Sequence, residues 1–224
     1  LAIALSCSLA TLYTGFKAGF GSRKEMYVDD PTPDSIFYKG RMFMQYLPVE
    51  FQAGWSLRSS PYMRLEFAET KAFITGEAGD SIGRGGRNSL YFVDEAAWIE
   101  RQELIDASLS RNTDCRIDFS SVRGNSSSFA QRWRTWPEAR RFLFHWRDNP
   151  LWTQEEYDKY LADWGPIITA QEVDISFDAS VEGIVIPAQW VNMCVNAHLK
   201  LPDVDCSGVN IVAYDVADQG IDKC

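Results

Sequence analysis

With 224 residues, 46% hydrophobic and 13% aromatic, the chain can bury the core of one large domain or two small ones, which excludes a disordered polypeptide. A formal net charge of -9 excludes a surface that is basic throughout, so any nucleic-acid contact has to be local. Cys7, Cys115, Cys194, Cys206 and Cys224 are scattered, odd in number and free of a Cys-x-x-Cys pair, which indicates neither a disulfide framework nor a zinc site and fits a reducing compartment.

Residues 1–16 are apolar and uncharged, but the run is shorter than the roughly 20 residues of a membrane span and lacks the basic leader of a signal peptide. A buried helix, entered midway, is expected there. Residues 22–48 read as a polar loop punctuated by Pro31 and Pro33, then an amphipathic helix over 35–46 capped by Asp34 or Ser35. Residues 63–75, MRLEFAETKAFIT, form two short alternating runs around a Glu-Thr-Lys turn, the pattern of a hairpin or of neighbouring strands. Residues 76–88, GEAGDSIGRGGRN, hold five glycines and two arginines and predict a flexible loop, with or without a short helix.

The next stretch organises the chain: Leu90-Tyr91-Phe92-Val93-Asp94-Glu95-Ala96-Ala97-Trp98. Four apolar residues running into adjacent carboxylates fit a buried parallel strand that ends at a site of chemistry. At the carboxyl edge of an open α/β sheet, such an Asp can hold Mg²⁺ on nucleotide phosphates while the Glu polarises the attacking water, a Walker B arrangement. The same string fits a strand that ends in a charged turn, and the neighbouring sequence has to decide. A helix over 99–111 leads to a strand over 116–121 and a Ser-, Gly- and Asn-rich loop over 122–128. Ser120 and Ser121 stand where hydroxyls could meet a γ-phosphate, the alternative being an ordinary Ser-rich turn.

Residues 132–147, RWRTWPEARRFLFHWR, are the densest basic and aromatic stretch. Alternation over 141–146 predicts a strand, preceded by a helix with its Trp and Phe residues inward and its arginines solvated, rather than a nucleic-acid groove. His145 and His198 lack a second metal ligand at useful spacing and read as structural. Residues 210–215, NIVAYD, form an apolar strand ending in Asp215, whose burial would cost several kcal/mol unless a cation or donors compensated. A chain that starts inside a helix and stops soon after a strand is expected to be a fragment.

Taken in order, these segments resemble the large terminase subunit of tailed bacteriophages, the motor that packages DNA into capsids. SRKEMYVDD and DSIFYKGRMFMQYLP resemble the region after that family's Walker A loop, and YFVDEAAW resembles its Walker B strand with the catalytic Glu95. FSSVRGNSSSF is similar to its coupling motif, with Ser121 and Val122 where Thr and Pro are common. HWRDNPLWTQEEYDKY and AQEVDISFDASVEGIVIP resemble the segment joining motor to nuclease, and NIVAYDVADQGID the opening of a ribonuclease-H-like nuclease.

The resemblance implies an α/β chain: a P-loop-type ATPase parallel sheet over 1–146, truncated at its N-terminus, a linker over 147–207, and the first strand of a ribonuclease-H-like domain over 208–224. It implies ATP-driven packaging of double-stranded DNA, with ATP and Mg²⁺ as cofactors of the motor and Mn²⁺ or Mg²⁺ of the nuclease. The implied partners are a portal protein, a small terminase subunit and further copies in a homo-oligomeric ring. The implied location is the host cytoplasm at the procapsid portal, with no membrane. Asp94 is the implied Mg²⁺ ligand, Ser120 and Ser121 contact nucleotide, and Arg84 acts across an interface on the neighbouring nucleotide, with Arg87 as a structural rival. Asp215 would be the first nuclease metal ligand and Asp222 a weaker one, since a turn Asp has ordinary reasons to be there. No Gly-x-x-x-x-Gly-Lys-Ser/Thr loop is present, so Leu1 is expected to lie just beyond it and the fragment to be inactive alone. The alternatives are another P-loop nucleic-acid motor, such as a helicase or transposition ATPase, and an inactive prophage remnant serving as an interaction module.

Overall fold

The middle strand of the sheet, β1 (Lys17–Ser22, KAGFGS), carries almost no strand signal in its sequence. Packing selects it. β3 (Ala72–Ala78) and β4 (Asn88–Val93) both pair with it in parallel, β5 (Thr113–Asp118) pairs in parallel with β4, and β2 (Arg64–Phe67) adds antiparallel to β3. The order is β2-β3-β1-β4-β5, a mixed five-stranded sheet in an α/β fold. The computed structural model describes residues 1–178 together with 194 and 195. The chain divides into two units, Leu1–Ile184 and Val185–Cys224. In the second, only the exposed Cys194 and Val195 are described, so the strand expected over 210–215, and with it Asp215, Asp222 and His198, lies outside the described residues.

Alternation along β1 explains its composition. Ala18 and Phe20 face one core with Leu65, Ile74, Leu90 and Phe92, and Phe20 stacks on Phe92 at 4.9 Å. Gly19 and Gly21 face the other side and leave room there for Tyr91 and Ile82. A Cβ on Gly19 would lie 2.2 Å from the Tyr91 ring, so Gly19→Ala has to displace a fully buried side chain. It is expected to lower unfolding free energy by about 1 to 3 kcal/mol, read as a shift in denaturant midpoint. An unchanged midpoint would mean that the ring has space to move.

The first core is covered by α1 (Ala2–Leu12), Val28 of the short α2 (Glu25–Val28) and α3 (Ile36–Tyr46). Ile3, Ser6, Cys7 and Ala10 form the inward stripe of α1, while Leu5 and Leu12 are exposed, so the helix expected over 1–16 is buried on one face only. Burial pushes the Cys7 thiol up to about 12, which leaves it an inert core group. Ser35, one of the two expected caps, accepts the Tyr38 N–H at the start of α3. The second core is covered by α4 (Gln102–Asn112), whose Ile105 and Leu109 meet Tyr91, Val93 and Ile82.

Three expectations are corrected. The hairpin over 63–75 is present, but β3 continues to Ala78, because Phe20, Gly21 and Ser22 of β1 take Gly76, Glu77 and Ala78 as ladder partners. The loop therefore starts later than residue 76. The strand expected over 116–121 spans Thr113–Asp118, starting directly after α4 in register with Asn88, and Ser120 and Ser121 come after it. Residues 141–146 form no strand: they run between the short turns Glu138–Arg140 and Trp146–Asp148 with Phe142 and Phe144 exposed.

After β5, α5 (Ser128–Thr135) is capped by Ser127, and α6 (Gln154–Glu172) begins in a capping box of Thr153 and Glu156. α6 breaks at Gly165, where φ is +76 just before Pro166. Its last turn buries Thr169 and Ala170, and Phe177 beyond it stacks on Phe129 and Trp133 of α5.

Candidate active site

β1, β4 and β5 run parallel, so the residues after Ser22, Val93 and Asp118 converge on one sheet edge, the carboxyl edge where α/β folds bind ligands. Asp94 is fixed there twice. Its N–H donates to Gly21 O at 2.8 Å, and Ser22 Oγ donates to its Oδ2 at 3.3 Å. Glu95 adopts a left-handed conformation, φ 52 and ψ 42, which is strained for a residue with a side chain and common at functional sites. The next three residues hold that strain in place: Ala96 N–H donates to Phe119 O at 3.0 Å, Ala97 N–H to Ser120 Oγ at 3.0 Å, and Trp98 Nε1 to Ser121 Oγ at 3.0 Å. The structure thus brings Asp94, Glu95, Ser120 and Ser121 together. Both serine oxygens are acceptors in these bonds, and a hydroxyl that accepts still carries a proton with which it can donate.

The electrostatics are those of two half-buried acids that form no ion pair among the described residues. Burial holds Asp94 above the ordinary carboxylate value, opposed by the Ser22 hydroxyl, the Glu95 backbone N–H and the charges of Lys39 and Arg23. Glu95 is also raised, first by burial and then by the adjacent Asp94 charge, with Arg23 opposing and Glu172 adding to the shift. Glu95 Oε2 is buried with no hydrogen-bond partner in the described structure. Such an oxygen fits a group that meets its partner only when ligand and water arrive. For a divalent ion the donors also fit: one carboxylate, Asp94, with the Ser22 hydroxyl beside it, suits Mg²⁺, which keeps most of its shell for water and phosphate. Among the described residues no group of three or more His, Cys, Asp or Glu forms a closed metal site.

Ser22, Arg23, Lys39 and Arg123 belong to this neighbourhood and carried no sequence signal of their own. Arg23 and Arg123 lie over the Trp98 ring at 6.0 and 5.0 Å, and Arg23 Nη2 also donates to the Tyr27 hydroxyl. Only the small-residue strand β1 brings Ser22 and Arg23 to the edge, and that strand is what the hydrophobic pattern hides. Below Ser120, β5 is anchored by an ion-pair ring. Asp118 accepts from Arg116 at 2.7 Å and Arg132 at 2.8 Å, and Asp106 of α4 accepts from the same two arginines at 2.6 Å each. Arg132, expected to be solvated, is instead largely buried in this ring, since its acids come from distant parts of the sequence. An apolar cavity of about 490 Å³ beside the ring is walled by Phe119, Phe129, Trp133 and Phe142, and it includes neither Asp94 nor Glu95.

Arg84 is not brought to Glu95 of the same chain. Its loop is fastened at Gly83 to Ser108 and Asn112, at the C-terminal end of α4, and leads into the start of β4, whereas Glu95 comes after that strand's other end. Arg84 is exposed, and Arg87 pairs with Asp114 at 3.0 Å on the surface, a contact of small energetic weight.

A mixed α/β sheet with adjacent acids at the carboxyl edge of its parallel strands defines the class of the molecule. Its fold is that of the Thermus phage P74-26 large terminase ATPase domain, with a TM-score of 0.55 at 17% identity over 79% of this chain and 82% of that one. The large terminase of a thermophilic bacteriophage, in complex with ADP, aligns with a TM-score of 0.48 at 14% identity over 74% of this chain. This chain spans 41% of the length of that protein. No protein-family model and no curated protein matches the sequence. None of the described helices is long and apolar enough to cross a membrane.

Proposed function

We propose that the chain is the motor segment of a phage-type DNA-packaging protein that hydrolyses ATP to move double-stranded DNA into a procapsid. The observation that carries this reading is the Asp94-Glu95 pair at the carboxyl end of a central parallel strand, with one buried oxygen of Glu95 unpartnered. Glu95 takes a proton from the attacking water, and its raised basicity suits that task. Asp94, held by Gly21 and Ser22, carries the charge that binds Mg²⁺, and Ser22 Oγ is the second donor. Held there by Asp94 with Ser22, Mg²⁺ would supply positive charge against the charge that develops on the phosphate. Ser120 and Ser121 report the phosphate to the loop after β5, since each oxygen already holds a donor of the Glu95 turn. Arg84 serves the nucleotide of a neighbouring copy in a homo-oligomeric ring.

In this reading the intact gene product adds a phosphate loop before the segment and a metal-dependent nuclease after it, with Asp215 and Asp222 at the nuclease opening. It works in the host cytoplasm with a portal protein and a small terminase subunit. The test is a Mg²⁺ titration of ATP hydrolysis by the intact gene product. Asp94→Asn is expected to raise the Mg²⁺ needed for half-maximal turnover by at least about tenfold, the lower end of what outer-shell partners of metal sites cost. An unchanged Mg²⁺ dependence would remove Asp94 from the metal and sink the reading.

A further inference from the structure

β3 carries near its end a carboxylate that grips both sides of one exposed arginine. Glu77 Oε2 accepts the Gly83 N–H at 2.5 Å and the Tyr91 hydroxyl at 2.5 Å, and Oε1 accepts the Gly85 N–H at 2.5 Å. Gly83 O accepts from Ser108 Oγ at 2.7 Å and Asn112 Nδ2 at 2.5 Å, which ties the same turn to α4. Arg84 sits between the two gripped amides, and its own N–H closes a turn on Ser81 O at 3.0 Å.

Both neighbours of Arg84 are glycine for reasons the grip imposes. Gly83 stands at φ +78, and a Cβ on Gly85 would come within 2.2 Å of Glu77 Oε1. A glycine-rich loop left to itself would spread over many backbone states, and fixing it is entropically unfavourable. Here the fixing benefits a residue without a side-chain partner among the described residues: the Arg84 guanidinium is exposed and makes no ion pair or side-chain hydrogen bond with any of them. Arg87, by contrast, has Asp114. A backbone held on both sides of an unpaired cation is the arrangement expected where the cation meets an anion from outside.

We infer that Glu77 is the positioning residue of Arg84, holding the Gly83–Gly85 backbone so that the guanidinium reaches an anion bound by a second copy of the chain. This rests on the proposed action of Arg84 on the neighbouring copy's nucleotide, and the test separates the two. Glu77→Gln offers one acceptor oxygen in place of two and turns an NH₂ group toward the other backbone donor. In the intact gene product it is expected to leave ATP affinity unchanged and lower turnover by about 100-fold, what a misplacement of about 1 Å costs. Mixing Glu77→Gln subunits with Glu95→Gln subunits should restore turnover, because one interface then has an intact acid facing an intact arginine. Mixing Glu77→Gln with Arg84→Ala subunits should not. Arg84→Ala with Glu95→Gln is the reference, and absence of rescue in that mixture overturns the interface reading of Arg84 itself. Rescue there but not with Glu77→Gln would place Glu77 inside its own subunit's machinery and overturn the positioning role. Amide exchange in the chain reads the grip without any activity: Gly83 and Gly85 should exchange at least about tenfold faster in Glu77→Gln, and unchanged protection overturns the proposal. Should Glu77→Gln fail to fold, Tyr91→Phe removes the phenol's donation while keeping the carboxylate, and it must give the same pattern of rescue and exchange at smaller amplitude.

Discussion

Glu95→Gln in the intact gene product is expected to bind ATP normally and to lose turnover by about 10² to 10⁴-fold, the span a positioned general base supplies. The amide keeps the shape of the side chain and the left-handed turn at φ 52, but it cannot take a proton from water. The same substitution should stabilise the fold. Burial and the Asp94 charge hold Glu95 above its ordinary value, so over the window between that value and the raised one the folded chain binds more protons than the unfolded chain. Stability contributed at this position therefore falls as pH rises through the window. At neutral pH Glu95→Gln removes a strained, half-buried charge with one unpartnered oxygen and should add about 1 kcal/mol to unfolding free energy. The gain should vanish below the ordinary carboxylate range, where the native residue is also neutral. Thermal unfolding as a function of pH checks the sign, and a destabilised variant at neutral pH would mean that Glu95 has a structural partner. Lost function together with gained stability is the signature of a site that holds its residue against local preference.

How much of this could be read from residues alone divides along physical lines. β4 and its acids were legible because four apolar residues cannot precede two carboxylates in a buried strand without the acids emerging at its end. The helix at 36–46 was legible from its period and its Ser35 cap. β1 was not, because Gly19 and Gly21 contribute by the absence of a side chain, which no hydrophobic pattern records. Ser22 and Arg23 were lost with it. The alternation over 141–146 misled for the opposite reason: the pattern is there, but a strand needs a neighbour, and Arg141 is drawn instead to Trp133, donating to its carbonyl at 2.8 Å. Side chains that act on partners far along the chain are the common case behind the misses. Arg132 looked solvated because nothing near it in sequence is acidic, while Asp106 and Asp118 reach it from α4 and β5.

Asp29 is the sharpest instance and carries the largest expected effect on stability. In sequence it is one of two acids before a proline, a turn residue by every local sign. In the fold it is 5% exposed at the end of the short helix α2 (Glu25–Val28), and it joins three elements. Arg41 of α3 grips it bidentately at 2.6 and 2.7 Å, and the Met63 N–H donates to its Oδ2 at 2.6 Å, just ahead of β2. Asp29→Ala leaves a largely buried guanidinium and a backbone donor without their acceptor, and breaking a buried pair from one side costs about 3 to 5 kcal/mol. The loss should reach beyond the junction, since Arg41 and Lys39 share α3, and Lys39 is one of the charges that oppose the raised value of Asp94. Denaturant unfolding of Asp29→Leu, Arg41→Met and the double variant Asp29→Leu/Arg41→Met closes the cycle, with Asp29→Ala measured beside it. Each single change should be severe and the double one milder, because an apolar pair of similar volume leaves no charge unpaired. If Asp29→Ala costs less than about 1 kcal/mol, as an exposed pair would, the junction is held by Val28 and its apolar neighbours rather than by the acid.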